Sequence, residues 1–285
     1  MVAALALLGS IDFTAPAAAA DPASQTATAE HALNELGLLT APKMGRTNTS
    51  TSAVGALDPA RGLVVGHGDQ EMAIRPSSEG VGELSPSAKT LVYSISRSHS
   101  VALTGTATAA DAGYIVIDDA SAPDSYDFDF EANGAPAVLE LVEGRVIVKD
   151  AAGQVVNMIS PAWAVDAGGK ALATTYSVHG AVLTQTVDHR DAAYPVVADP
   201  RVACSGLFCT LELTKRETAL LADNALNAGT VCGISGPAVV LCTAAVIGGW
   251  AQANIARNTG QCFGTRWASY PLPNNFHNVY VRCYA

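Results

Sequence analysis

The sequence predicts an α+β multidomain fold: an antiparallel β-sandwich over residues 85–200, followed by a small disulfide-stapled β-α-α-β-β domain over residues 201–285. Three observations predict it. From about Arg61 onward apolar and polar residues alternate with period two, in short runs separated by glycine. All six cysteines fall in the last 82 of 285 residues. The charge also changes sign along the chain: residues 201–285 carry six basic and three acidic side chains, which leaves −13 of the net −10 on residues 1–200. With 49% hydrophobic and 15% charged residues, the chain as a whole is too apolar to be disordered.

The first elements point to export. Residues 2–8 (Val-Ala-Ala-Leu-Ala-Leu-Leu) are an apolar run, and Ala18 and Ala20 occupy the A-x-A places of a cleavage site. Residues 1–20 therefore read as a signal peptide. No Lys or Arg precedes the run, so the start is expected upstream of Met1. Residues 21–84 read as a low-complexity linker region. Within it, Thr28 to Leu39 is a short amphipathic stretch carrying Leu33, Leu36, Leu38 and Leu39, and Thr47–Ser52 reads as flexible.

The strand candidates follow in order: Leu91–Ser96, Tyr114–Ile117, Tyr126–Phe130, Ala137–Val142, Arg145–Lys149, Ala171–Val178 and Val182–Val187. Between them Glu143-Gly144, Ala152-Gly153, Gly168-Gly169 and His179-Gly180 sit at hairpin distances. In Tyr-Asp-Phe-Asp-Phe the aromatics share one face and Asp127 and Asp129 the other. Tyr126, Phe128, Phe130 and Trp163 are expected in the core.

The run Pro161-Ala-Trp-Ala-Val-Asp-Ala, then Tyr176-Ser-Val, Leu183-Thr-Gln-Thr-Val-Asp-His, and the closing Tyr194-Pro-Val-Val-Ala-Asp-Pro resemble a module of secreted actinobacterial proteins that ends in Tyr-Pro-Val-x-x-Asp-Pro. A similar strand-rich unit precedes RHS-type repeats in large secreted proteins. The resemblance covers about Val92–Pro200. It implies a β-sandwich and export, and no reaction. Pro195 and Pro200 restrict the residues before them to extended conformations, which places a boundary near Pro200.

In the last stretch, Phe208–Leu213 is a strand candidate and Thr214-Lys-Arg-Glu217 fits a capping box. A helix should run to about Ala228 with Leu220, Leu221 and Leu226 as its apolar set. After the break at Gly233, Gly236 and Pro237, a second, almost wholly apolar helix is expected to about Asn258. Gly264–Ala268 and Asn278–Cys283 read as closing strands. Thr214, Glu217, Thr218, Gly260, Cys262 and Cys283 resemble the pattern of small C-terminal domains of uncharacterised secreted proteins of Gram-positive bacteria. That resemblance implies no activity.

The cysteines are Cys204, Cys209, Cys232, Cys242, Cys262 and Cys283. An even set in a short exported segment reads as a disulfide framework, and the absence of C-x-x-C pairs argues against zinc. Proximity favours the pairs 204–209, 232–242 and 262–283. No catalytic constellation stands out among the six histidines, and no cofactor is indicated. Gly66-His-Gly-Asp69 reads as a turn and Asp188-His189 as a strand-end pair. The acidic group Asp118, Asp119, Asp124, Asp127 and Asp129 lacks the glycine spacing of a calcium loop and reads as a solvated face. Pro237–Ala256 has about the length of a bilayer span, but a core helix is the favoured reading.

Taken together, the sequence describes a secreted, non-enzymatic protein: a β-sandwich carrier presenting a stapled domain to an unknown protein or cell-surface partner, with no nucleic acid. A membrane-active or antimicrobial effector is the alternative.

Overall fold

The structure, a computed structural model, describes residues 22–39, 55–66, 68–78, 80–105, 108, 110–142, 144–205, 208–223, 249–268 and 274–283. In chain order the elements are α1 (Pro22–Glu35), β1 (Ala56–Asp58), β2 (Gly62–Val65), β3 (Met72–Pro76), β4 (Glu83–Leu84), β5 (Thr90–Tyr93), β6 (His99–Thr104), β7 (Ala112–Ile117) and β8 (Ser125–Ala132). Next come β9 (Ala135–Pro136), β10 (Val138–Val142), β11 (Arg145–Lys149), β12 (Val155–Ile159), β13 (Ala164–Val165), β14 (Thr174–His179), β15 (Val182–Val187) and β16 (Val196–Ala198). The last are β17 (Cys204–Ser205), β18 (Phe208–Glu212), α2 (Lys215–Asp223), α3 (Trp250–Asn258), β19 (Gln261–Ala268) and β20 (Asn274–Arg282).

The strands form antiparallel sheets. One runs β1-β2-β3-β8-β15-β14, with β9 added on β8. A second runs β13-β16-β7-β6-β5-β4. β10-β11-β12 form a third, and β17-β18-β19-β20 a fourth. The first three feed one apolar core that contains Ile74, Leu103, Ile115, Phe128, Phe130, Val146 and Leu183. Tyr126, Phe128, Phe130 and Trp163 are all buried, while Asp127 is exposed, as the alternation requires. The hairpin glycines Gly144, Gly153 and Gly180 have φ of 78°, 79° and 59°, a region an L side chain avoids.

The stretch expected as a linker departs from that reading. Residues 56–84 supply β1 to β4, and β3 pairs with β8 in the register Ile74↔Phe130, inside the first sheet. The helix starts earlier than expected, at Pro22, and docks on the outer face of the second sheet. There Ala29 and Leu33 pack with Val92, Tyr114 and Trp163. Its Glu30 accepts hydrogen bonds from Ser87 Oγ at 2.7 Å and Thr90 Oγ1 at 3.1 Å. With a helix on one face and the core on the other, β6 and β7 are buried throughout. Burial on both faces explains why Tyr114-Ile-Val-Ile reads as a continuous apolar run rather than an alternating one.

The Tyr-Pro-Val-Val-Ala-Asp-Pro signature is a strand inside the second sheet. β16 pairs with β13 on one side and with β7 on the other, and the Tyr194–Pro195 bond is cis. Past Pro200 the chain stays paired, with bridges Ala112↔Arg201 and Ile159↔Val202.

In the C-terminal part the capping box forms as read. The Glu217 N–H donates to Thr214 Oγ1 at 3.2 Å, and Thr214 N–H donates to Glu217 Oε2 at 2.7 Å. The core takes in Leu211, Leu213, Leu221, Ala222, Ala253, Ala256 and Phe263. Leu220, expected beside Leu221, is instead 37% exposed, because it falls on the outer face of α2. Val279 and Val281 on β20 are half-buried. Leu226 and residues 237–248 of the expected apolar helix lie outside the described residues. The described part, α3, buries Ala253 and Ala256. Cys204–Cys209 and Cys262–Cys283 are disulfides. Cys232 and Cys242 lie outside the described residues.

Candidate functional site

The richest polar geometry lies at the joint between the large sheets and the C-terminal unit. Arg145 opens β11, directly after the Gly144 turn, and enters as a cation among Val146, Ile147 and Val148. Its guanidinium reaches across the joint. Nη1 donates to Glu217 Oε1 at 2.9 Å, and Nη2 donates to Glu217 Oε2 at 2.8 Å and to the Glu212 carbonyl at 2.7 Å. The side chains are 6% and 10% exposed. A bidentate, buried pair of this kind is held by geometry as much as by charge. Burial pushes the Glu217 carboxyl up, but Arg145 and the Thr214 N–H and O–H more than offset it and hold it below the usual carboxylate range. Glu217 therefore serves two elements at once: it caps α2 and receives the clamp from β11.

Three further contacts stitch the same joint. The buried Asn157 on β12 imitates a strand partner: its Nδ2 donates to the Cys204 carbonyl at 3.1 Å, and its Oδ1 accepts the Cys204 N–H at 3.2 Å. Arg201 pairs with Glu212. The Ala203 N–H donates to the Met158 carbonyl at 2.8 Å, and Met158 packs on the C-terminal core. A small cleft beside the Cys262–Cys283 disulfide, lined by Trp163, Arg201, Glu212 and Thr214, has room for water-sized molecules only.

Asp199 sits where the two parts meet and is fully buried. Its Oδ1 accepts the Trp163 N–H at 2.9 Å, the Tyr176 O–H at 3.1 Å and Gln185 Nε2 at 3.4 Å. Its Oδ2 is buried without a hydrogen-bond partner. Burial pushes the carboxyl up to about 7, against the opposing effect of these donors and of Arg201. Tyr176, buried beside it, is raised well above its ordinary value by burial and by Asp199.

The other sequence candidates do not assemble into a site. His189 is buried, with Nδ1 2.9 Å from the Tyr194 hydroxyl and Nε2 3.1 Å from the Pro123 carbonyl, so it ties the turn after β15 to the loop before β8. Asp124 pairs with Arg190. Asp127 accepts Thr184 Oγ1 and Asp129 accepts Ser77 Oγ on the outer face of the first sheet. Asp118 is pushed up to about 6 by burial and by its neighbour Asp119. Among the described residues no group of three or more His, Cys, Asp or Glu is placed to hold a metal. His67 lies outside the described residues.

Sequence reasoning missed Arg145, Asn157 and Asp199 as joint residues. A signal existed for two of them: a single Arg heading the run Val-Ile-Val, and an Asn in the middle of Val-Val-Asn-Met-Ile, are polar groups in apolar strands that need partners.

No family model matches the chain, and no curated protein and no solved structure matches it. Among the described residues no helix is long and apolar enough to cross a membrane.

Proposed function

We propose that this is an exported, non-enzymatic protein in which a β-sandwich carries and presents the disulfide-bonded C-terminal domain to a protein or cell-surface partner. The single observation that carries the reading is the joint. The buried Arg145–Glu217 pair and the paired stretch Arg201–Cys204 fix the C-terminal unit on the large sheets by its inner side. Among the described residues its strand β20 lies at a sheet edge, with His277, Asn278 and Tyr280 exposed. A free edge with polar and aromatic side chains is a common peptide-docking surface. The two disulfides favour an oxidising compartment, and the resemblance of the Tyr194–Pro200 ending to secreted actinobacterial modules agrees with it.

One observation favours a second reading, a membrane-active effector. Leu220, Trp250 and Ile255 are exposed on the packed pair α2 and α3, and the chain's C-terminal charge is positive.

Sedimentation of the oxidised full-length chain with intact Gram-positive cells and with phosphatidylglycerol vesicles tests both. The carrier reading expects retention by cells, lost when Cys262 and Cys283 are replaced by Ser, and no vesicle leakage. Vesicle leakage that disappears in Trp250→Asp would replace it with the membrane-active reading. Retention by neither would overturn both.

A further inference from the structure

We propose that the chain cuts itself at the Asp199–Pro200 peptide bond, with the Asp199 side chain as intramolecular nucleophile, giving two fragments that stay associated at the joint. The sequence holds three Asp–Pro bonds: Asp21–Pro22, Asp58–Pro59 and Asp199–Pro200. The two in described surroundings differ sharply. Asp58 is half-buried, and its Oδ1 accepts the Ala60 and Arg61 N–H groups at 2.8 and 3.1 Å; these hold it below the ordinary carboxylate range. Asp199 is fully buried, with Oδ1 engaged by Trp163, Tyr176 and Gln185 and Oδ2 left without a donor. As in any aspartate, the side-chain carboxyl carbon is joined to the backbone carbonyl carbon through Cβ and Cα, so attack by the unengaged oxygen closes a five-membered ring.

The chemistry balances without a cofactor. A carboxyl oxygen of Asp199 forms a bond to its own backbone carbonyl carbon and closes a five-membered cyclic anhydride. The carbon–nitrogen bond to Pro200 breaks, and nitrogen keeps the electron pair and takes the carboxyl proton. Proline is the favoured leaving group, because its tertiary amide becomes a basic secondary amine. One water then opens the anhydride and restores both carboxyls of Asp199, so the net change is hydrolysis.

The neutral carboxyl supplies both oxygen and proton. An ordinary aspartate at neutral pH is neutral in less than roughly one molecule in a thousand. Burial brings Asp199 to about 7, so close to half is neutral there. The groups facing it are the Trp163 N–H, Gln185, the Tyr176 hydroxyl and, two residues along the chain, Arg201.

Both sides of the bond are held. The Asp199 N–H donates to the Trp163 carbonyl at 3.3 Å, and the Pro200 carbonyl accepts the Gly113 N–H at 2.8 Å. All six cysteines follow residue 200, so no disulfide spans the cut, and denaturation separates the fragments.

The test is intact mass measurement of the full-length oxidised chain during incubation at neutral pH with protease inhibitors present. The expected result is a fragment ending at Asp199 and one beginning at Pro200, their masses summing to the intact mass plus one water. Cutting there should be at least roughly five-hundred-fold faster than at Asp58–Pro59. Asp199→Asn should abolish it. Because that change falls in a buried cluster, Pro200→Ala provides the second arm: it keeps the carboxyl and should slow the cut while the circular dichroism stays native. An intact chain, equal cutting at Asp58–Pro59, or undiminished cutting in Pro200→Ala would overturn the proposal. Cell binding plays no part in this readout, so the carrier reading can fail while the cut stands, and the reverse.

Discussion

Two carboxylates buried on either side of the joint show how differently the two parts of the molecule are held. Asp199, on the side of the large sheets, has neutral donors and no paired cation, and burial pushes its carboxyl up to about 7. Glu217, on the C-terminal side, is ionised and pinned by Arg145. The large sheets bring a continuous apolar core to which three sheets contribute. Among the described residues the C-terminal unit has seven buried core residues, two disulfides and one imported cation.

If that contrast is right, core damage should be most severe in the large sheets. Phe128 is fully buried, and its ring fills the space over Gly113, where an added Cβ would lie 3.1 Å from it. Phe128→Ala should cost about 3–5 kcal/mol, read from denaturant unfolding; a loss under about 1 kcal/mol would mean the core is looser than described.

The pH dependence comes next, and the two carboxylates have opposite signs. Asp199 is raised from 3.8 to about 7. Its stabilisation of the fold is complete below pH 3.8 and is lost as pH rises toward 7, by about 4 kcal/mol over that window. Glu217 is lowered, so its contribution is present above its ordinary value of 4.5 and is lost as pH falls below it. Asp199→Asn should flatten the decline between pH 4 and 7 and leave the acid limb unchanged. A variant whose stability declines across that window as steeply as the parent's would contradict the assignment.

Replacing Cys262 and Cys283 by Ser opens a loop closed across 21 positions and should cost about 3 kcal/mol. Loss of the Cys204–Cys209 bridge, which spans 5, should cost about 2 kcal/mol. Equal losses would show that chain entropy is not the main term. The exposed Arg257–Asp223 pair should matter least: Arg257→Ala should shift stability by under about 1 kcal/mol in melting experiments.

Much of this architecture was legible in the residues. The Tyr126–Phe130 alternation, the hairpin glycines and the Thr214–Glu217 box are local patterns with one physical solution each, and all three form as read. What escaped was set by distant partners. β6 and β12 carry weak alternation, because β6 is buried on both faces and β12 devotes Asn157 to Cys204. The strands before residue 85 are short and are defined by their partners: β3 pairs with β8, β1 and β2 build outward from it, and β4 pairs with β5. At Arg145 the sequence showed a polar group heading an apolar strand but not its partner, because the acceptor stands 72 positions later.

The most direct test of the clamp is a double-mutant cycle on the full-length chain at neutral pH with Arg145→Met, Glu217→Leu and the double variant. Arg145→Met alone leaves Glu217 buried without its cation and should cost about 3–5 kcal/mol. The double variant should recover most of that loss, giving a coupling of roughly 2–3 kcal/mol. Amide exchange should show the protection of α2 falling in Arg145→Met while that of β8 holds. Additive losses, with a coupling under about 0.5 kcal/mol and α2 as protected as before, would show that the two parts of the molecule are not joined through this pair.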